Sequence, residues 1–226
     1  MTSAPLDGPR LPAASGRARQ LVVFLHGYGA DGNDLIELGA QWAGLLPDAA
    51  FVAPHAPERC AMSPMGRQWF GLTMRDPNER WTGVCKARPA LDAFLDAECA
   101  RHNLDDSALA LVGFSQGTMM ALHTGLRRPR RPAAILGYSG ALAGAEHLDE
   151  ARIGPPPPLL LIHGDRDDVL PIGAMFEAAD ALAGADLPCQ FHVCPGLGHG
   201  IDESGLVTGG LFLAQAFGVK VAQTSP

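Results

Sequence analysis

The stretch Ala108–Met120, reading Ala-Leu-Ala-Leu-Val-Gly-Phe-Ser-Gln-Gly-Thr-Met-Met, constrains this chain more than any other. Its first residues, Ala108 to Val112, form an apolar run long enough for one buried strand. Thr118–Leu126 reads as helix, and only Gly113-Phe114-Ser115-Gln116-Gly117 stands between the two. A chain that passes from strand to helix in so few residues turns sharply and carries backbone strain at the apex. The residues two positions either side must then be small so that strand and helix can approach, as Gly113 and Gly117 are. Such a turn pushes the Ser115 hydroxyl outward at the carboxyl end of the strand. It also leaves beneath that hydroxyl a helix N-terminus whose free N–H groups favour negative charge. The five-residue pattern alone is common in small-residue turns. The strand before it and the helix after it make Ser115 a candidate nucleophile.

Further apolar runs flank this one. Gln20–Leu25 is continuous and rich in β-formers, as a strand buried on both faces should be. It opens into His26-Gly27-Tyr28-Gly29-Ala30-Asp31-Gly32, a loop that bends tightly. Asn33 or Asp34 is expected to cap a helix over Leu35–Leu46, and Ala50–Ala53 is the next strand. Arg59–Arg80 is irregular and rich in Met and Trp, reading equally as an excursion over the core or as the wall of an apolar pocket. Arg88–His102 is an amphipathic helix. After the central turn come strand Ala133–Gly140, strand Leu159–Ile162 delivered by the prolines Pro155–Pro158, helix Ile172–Leu182, strand Gln190–Cys194 and helix Gly205–Phe217. Strands alternating with helices predict an α/β fold, a single domain with a mostly parallel twisted sheet and helices on both faces. The expected division is a flexible or edge-hugging arm over residues 1–19, the domain over 20–218 and a tail over 219–226.

Composition narrows the partners. The chain has 226 residues, 18% of them charged, and a net charge of −7, which argues against a nucleic-acid partner. The one basic cluster, Arg127-Arg128-Pro129-Arg130-Arg131, is short and proline-broken, and reads as a helix C-terminus on a solvated loop. The five cysteines are odd in number and show no CxxC, which fits free thiols in a reducing, cytoplasmic setting. The histidines show no metal-ligand spacing, no apolar stretch is long enough for a membrane span, and the first residues do not read as a secretory signal.

In a parallel sheet functional groups gather at the carboxyl ends of the strands. Ser115 stands at one such end, the carboxylates Asp165, Asp167 and Asp168 follow the strand Leu159–Ile162, and His199 lies in a glycine-flanked loop after the last strand. Nucleophile, acid and base in that chain order make up the α/β-hydrolase arrangement, in which the base takes the serine proton and the acid orients the base. Spacing leaves the acid open among the three aspartates. The oxyanion donors are expected to be the backbone N–H of Gln116 and of Tyr28, with Gly29 as the fallback. His26 and His163 read as loop-bracing residues rather than second bases.

Together these segments resemble the phospholipase/carboxylesterase family, which includes acyl-protein thioesterases and bacterial carboxylesterases. The matching residues are Phe24–Gly32, Gly66-Arg67-Gln68-Trp69-Phe70, Gly113–Gly117, His163-Gly164-Asp165 with Asp167 and Pro171, and Gly198-His199, spanning most of the chain. The resemblance assigns the acid to Asp167 and supports Ser115, His199, Tyr28 and Gln116. Asp168 departs from the family's pattern, which often has Pro there, and adds a charge beside the acid. The implied chemistry is hydrolysis of small-molecule carboxylic esters, thioesters or lysophospholipid-type esters without metal or organic cofactor. Trp69, Phe70, Leu72 and Met74 are expected to line the acyl pocket, and the resemblance also allows a homodimer. The alternatives are an acyl-protein thioesterase acting on lipidated proteins, a non-catalytic binder on the same fold, and a dienelactone-type hydrolase, which would carry Cys where this chain has Ser115.

Overall fold

The computed structural model describes residues 5–73, 76, 78–151 and 155–220. Seven strands form one sheet in the order β1-β3-β2-β6-β7-β8-β9. They are β1 (Arg10–Leu11), β2 (Gln20–Leu25), β3 (Ala49–Val52), β6 (Leu109–Phe114), β7 (Ala134–Tyr138), β8 (Leu159–Gly164) and β9 (Gln190–Cys194). Every neighbouring pair is parallel except β1 with β3, where Arg10 faces Val52 in antiparallel register. A separate antiparallel pair, β4 (Glu58–Arg59) and β5 (Arg67–Gln68), opens the segment read as irregular, starting one residue before it. The helices are α1 (Asn33–Trp42), α2 (Glu79–His102), α3 (Gln116–Gly125), α4 (Gly173–Gly184) and α5 (Glu203–Ala216). This is the α/β-hydrolase architecture.

Alternation along the strands builds two cores, one on each face. Leu21, Val23 and Leu25 of β2 pack with α2, α3 and α4, whereas Val22 and Phe24 pack with α1 and α5. A strand with helices on both sides has no wet face, so its sequence is apolar throughout. Every residue of α3 is buried, because α2 covers the side that faces away from the sheet.

Several boundaries differ from the sequence reading. Helix α2 begins at Glu79 rather than Arg88; Pro89 lies within it, and its first turns are admitted against the core where Gly83 lets the Phe70 ring pack closely. Helix α1 is capped from outside: Asp31 Oδ1 accepts the Asn33 N–H at 2.7 Å while Asp34 Oδ2 accepts the Asp31 N–H at 3.1 Å. The basic cluster is not wholly solvated. Arg127 and Arg128 are buried, and Arg128 pairs with Asp92 (3.0 Å), Asp96 (2.5 Å) and Asp106 (2.7 Å). Arg127 reaches the carbonyls of His123 and His147 instead, the first of these at the end of α3. Among the described residues no helix is long and apolar enough to cross a membrane.

Candidate active site

Ser115 links β6 to α3 with φ 54° and ψ −115°, a conformation an L-residue adopts only under constraint. The constraint is packing on both sides. A Cβ on Gly113 would lie 2.4 Å from the Gly117 carbonyl oxygen, and one on Gly117 would lie 1.8 Å from the Leu25 carbonyl oxygen. Ser115 donates its own N–H to the carbonyl of Tyr138 at 2.9 Å, which ties the apex to the end of β7. Its side chain sits beside the β2 loop, where a Cβ on Gly27 would come within 3.3 Å of the Ser115 Cβ.

The acid loop follows β8 and the histidine loop follows β9, and their backbones interlock. Arg166 N–H donates to Leu197 O at 3.0 Å, and Gly164 is needed because a Cβ there would lie 2.2 Å from the same oxygen. Of the three candidate acids, Asp165 is spent on the loop, accepting the Gly196 N–H at 2.6 Å. Asp168 is exposed, with no hydrogen bond or ion pair among the described residues. Asp167 is buried, and its Oδ2 accepts from His199 Nδ1 at 2.7 Å. Its Oδ1 accepts the N–H groups of Val169 (2.9 Å) and Leu170 (2.8 Å). Burial alone would raise the Asp167 carboxyl, but the bonds from His199, Leu170 and Val169 outweigh it and hold the group below the usual carboxylate range. A proton on His199 Nδ1 leaves Nε2 of the neutral ring as its lone-pair nitrogen. The His199 ring lies 5.0 Å from the ring of Phe114, next to Ser115. Ser139 Oγ donates to the Gly200 carbonyl at 3.2 Å, fixing the far side of the histidine loop.

Two candidate donors face the remaining side. Among the described residues the N–H groups of Tyr28 and Gln116 have no acceptor, whereas that of Gly29 is taken by Arg67 O at 2.9 Å. This geometry favours Tyr28 over Gly29. His26 braces the same loop: Nδ1 donates to Gly27 O at 2.8 Å and Nε2 accepts the Ala56 N–H at 2.9 Å, a pairing open only to the neutral ring. Burial lowers its pKa and keeps it so. His163 donates through Nε2 to Leu170 O at 2.8 Å, so it steadies the turn whose N–H groups hold Asp167. Both histidines therefore brace loops.

Among the residues expected to line a pocket, Trp69 and Phe70 are buried. The Trp69 indole N–H donates to His26 O at 3.0 Å, and the Phe70 ring packs under α2. Leu72 is half-buried against the core, and Met74 lies outside the described residues. The clamp on Asp167 and the role of Ser139 were not visible in the sequence, because both depend on backbone groups that only the folded loops bring together.

Parallel sheet, strained serine at a strand-to-helix turn and paired acid and histidine loops define the α/β-hydrolase class. Comparison with known proteins narrows it. The phospholipase/carboxylesterase family matches residues 7–215, and the chain belongs to that family and is an enzyme of its ester-cleaving hydrolase class. In structure the chain is similar to esterase PE8, with a TM-score of 0.89 and 46% identity, covering 94% of this chain and 100% of that one. It is 28% identical to esterase YpfH of Escherichia coli (strain K12), over 82% of this chain and 78% of that protein. It is 30% identical to acyl-protein thioesterase 1 of Schizosaccharomyces pombe, over 66% of this chain and 69% of that protein.

Proposed function

We propose that the protein is a serine carboxylesterase that cleaves small-molecule esters of short to medium acyl chains through an acyl-enzyme. In this reading Ser115 Oγ attacks the acyl carbonyl while His199 Nε2 takes its proton, and Asp167 holds the imidazolium that forms. The N–H groups of Tyr28 and Gln116 receive the negative oxygen. The imidazolium then returns the proton to the departing alkoxide, which leaves as the alcohol. Water, deprotonated by His199, attacks the acyl carbon and frees the acid and Ser115. Thioesters fit the same steps with a thiol as the leaving group.

The observation that carries this reading is the 2.7 Å contact between Asp167 and His199, set on loops that adjoin a serine in positive-φ backbone. Strain of this kind gathers at functional sites, because packing must maintain it against its cost. The test is incubation with a fluorophosphonate and mapping of the adduct by mass spectrometry. One adduct is expected, on Ser115, lost in Ser115→Ala and slowed in His199→Ala. A folded protein that takes no adduct would point instead to a ligand binder. A panel of oxygen esters and thioesters of increasing chain length then defines the substrate.

A further inference from the structure

The side chain of Gln116 occupies a place that the proposed role of its backbone N–H does not require. It is 1% exposed and sits directly after Ser115. Both ends of its carboxamide are used, on adjacent residues of the segment after β5. Oε1 accepts the Trp69 N–H at 2.9 Å, and Nε2 donates to the Phe70 carbonyl at 2.8 Å. Trp69 and Phe70 are buried and belong to no strand or helix, so without Gln116 these two backbone groups would be buried unpaired.

The segment that Gln116 holds is also tied to the Tyr28 loop. Trp69 Nε1 donates to His26 O at 3.0 Å, Arg67 N–H donates to Ala30 O at 2.7 Å, and Gly29 N–H donates to Arg67 O at 2.9 Å. One short segment thus spans the two backbone positions whose N–H groups have no acceptor. On one side it is bonded to the Tyr28 loop, and on the other to the Gln116 side chain.

We infer that the Gln116 carboxamide is a positioning residue: by clamping the Trp69–Phe70 backbone it sets the Gln116 N–H relative to the Tyr28 N–H. The inference rests on the esterase reading and deepens it. Because an oxyanion exists only after attack, loosening the clamp lowers kcat and leaves KM nearly unchanged.

The clamp needs an acceptor at one end and a donor at the other. Methionine has no donor and only a weak thioether acceptor. An ionised glutamate has two acceptors, one of which would face the Phe70 oxygen. A protonated glutamate has one of each and restores the clamp. A buried carboxyl facing a carbonyl oxygen titrates well above its ordinary ~4.3. The titratable and charged groups around this place include His26, Arg67, the Asp167–His199 pair with His163 at 3.2 Å from Asp167, and Glu58, which accepts from Gln68 at 3.0 Å and from Lys86 at 2.8 Å. All are shared with the unsubstituted protein, and the charge an ionised glutamate adds would favour the His199 imidazolium and pull the ratio of rates down as pH falls, the opposite of the change expected from the clamp.

The experiment compares Gln116→Glu and Gln116→Met with the unsubstituted protein from about pH 5.5 to 8.5. It reads kcat, KM and the rate of fluorophosphonate labelling at Ser115, with a thermal melt at each pH. The expected result is a kcat ratio for Gln116→Glu that climbs about tenfold or more as pH falls. Gln116→Met should stay low and flat, and KM should remain within about threefold for both. A flat ratio for Gln116→Glu overturns the inference, as does Gln116→Met at the unsubstituted kcat. Melting temperatures that follow pH while kcat of the folded protein does not would mean a structural role only, which overturns it too. So would a Gln116→Glu protein still unfolded at pH 5.5. An unsubstituted protein without labelling at Ser115 overturns the esterase reading itself, so the two failures are distinct.

Discussion

Gly117→Ala tests the packing argument at the central turn most directly. The added methyl would sit 1.8 Å from the Leu25 carbonyl oxygen, 2.4 Å from its carbon and 2.8 Å from the His26 oxygen. Ordinary contact begins at about 3.4 Å, so roughly 1.6 Å of separation has to be found. None of the three atoms is the end of a flexible side chain. They are backbone at the end of β2, which is bonded to β3 on one side and β6 on the other. Alanine also improves helix propensity by about 0.5–1 kcal/mol relative to glycine, since Gly117 lies in α3. Overpacking in a rigid core typically costs about 1–3 kcal/mol, and more where backbone must move, so the clash wins. With the clash at or above the upper part of that range, a net loss of about 1–3 kcal/mol lowers the melting temperature by roughly 2–12 °C for a chain of this size. The displacement falls on Ser115 and on the Tyr28 loop together. A misplacement of about 1 Å in a reacting group can cost around a hundredfold in rate. The assay is kcat/KM on a short-chain ester, with labelling at Ser115 and a thermal melt. Gly184→Ala, where an added Cβ meets nothing within 4 Å, is the control and should be neutral or slightly stabilising. A Gly117→Ala protein with unchanged melting temperature and activity within threefold would refute the reasoning.

Asp167→Asn is expected to lower kcat by about 10⁴-fold, because an amide at that place can hold the wrong tautomer of His199. Asp168→Asn, which removes an exposed carboxylate, should change kcat by less than about threefold; steady-state kinetics of the pair separate the two aspartates, and equal losses would refute the assignment. Acid sensitivity should trace in part to His123. Burial, with Arg127 and Arg88 nearby, pushes its pKa down to about 3, so the folded protein holds it neutral while the unfolded chain takes up a proton below ~6.5. Its contribution is therefore intact above that pH and declines as pH falls toward 3, at up to ~1.4 kcal/mol per unit. Urea midpoints of His123→Phe between pH 6.5 and 4.5 should fall less steeply than those of the unsubstituted protein, by about 2 kcal/mol over that range. Parallel slopes would contradict the assignment.

How far the site was legible in the sequence depended on how local its determinants are. The turn at Ser115 announces itself because the glycines that permit it lie two residues away, and His199 because it stands between Gly198 and Gly200. Asp167 could be chosen over its neighbours only by family resemblance, since Asp165, Asp167 and Asp168 share one loop and differ in what the folded loop presents to them. Trp69 and Phe70 illustrate the same limit: an apolar residue reads alike whether it lines a pocket or fills the core.

Local sequence is enough for the alternation of strand and helix, because apolar periodicity and glycine placement are properties of neighbouring residues. It is enough as well for the strained turn and for the order of the chemical groups along the chain. Which polar atoms meet depends on the folded chain. That Asp167 takes His199 while Asp165 takes the Gly196 N–H, that the Tyr28 N–H is left open while Arg67 occupies Gly29, and that Arg128 is buried among carboxylates all depend on segments far apart in the chain. The early start of α2 belongs with them, since Pro89 argues locally against a continuous helix and packing of Phe70 against Gly83 supports it. Buried polar groups must find partners wherever the fold supplies them, and no local pattern records where that will be.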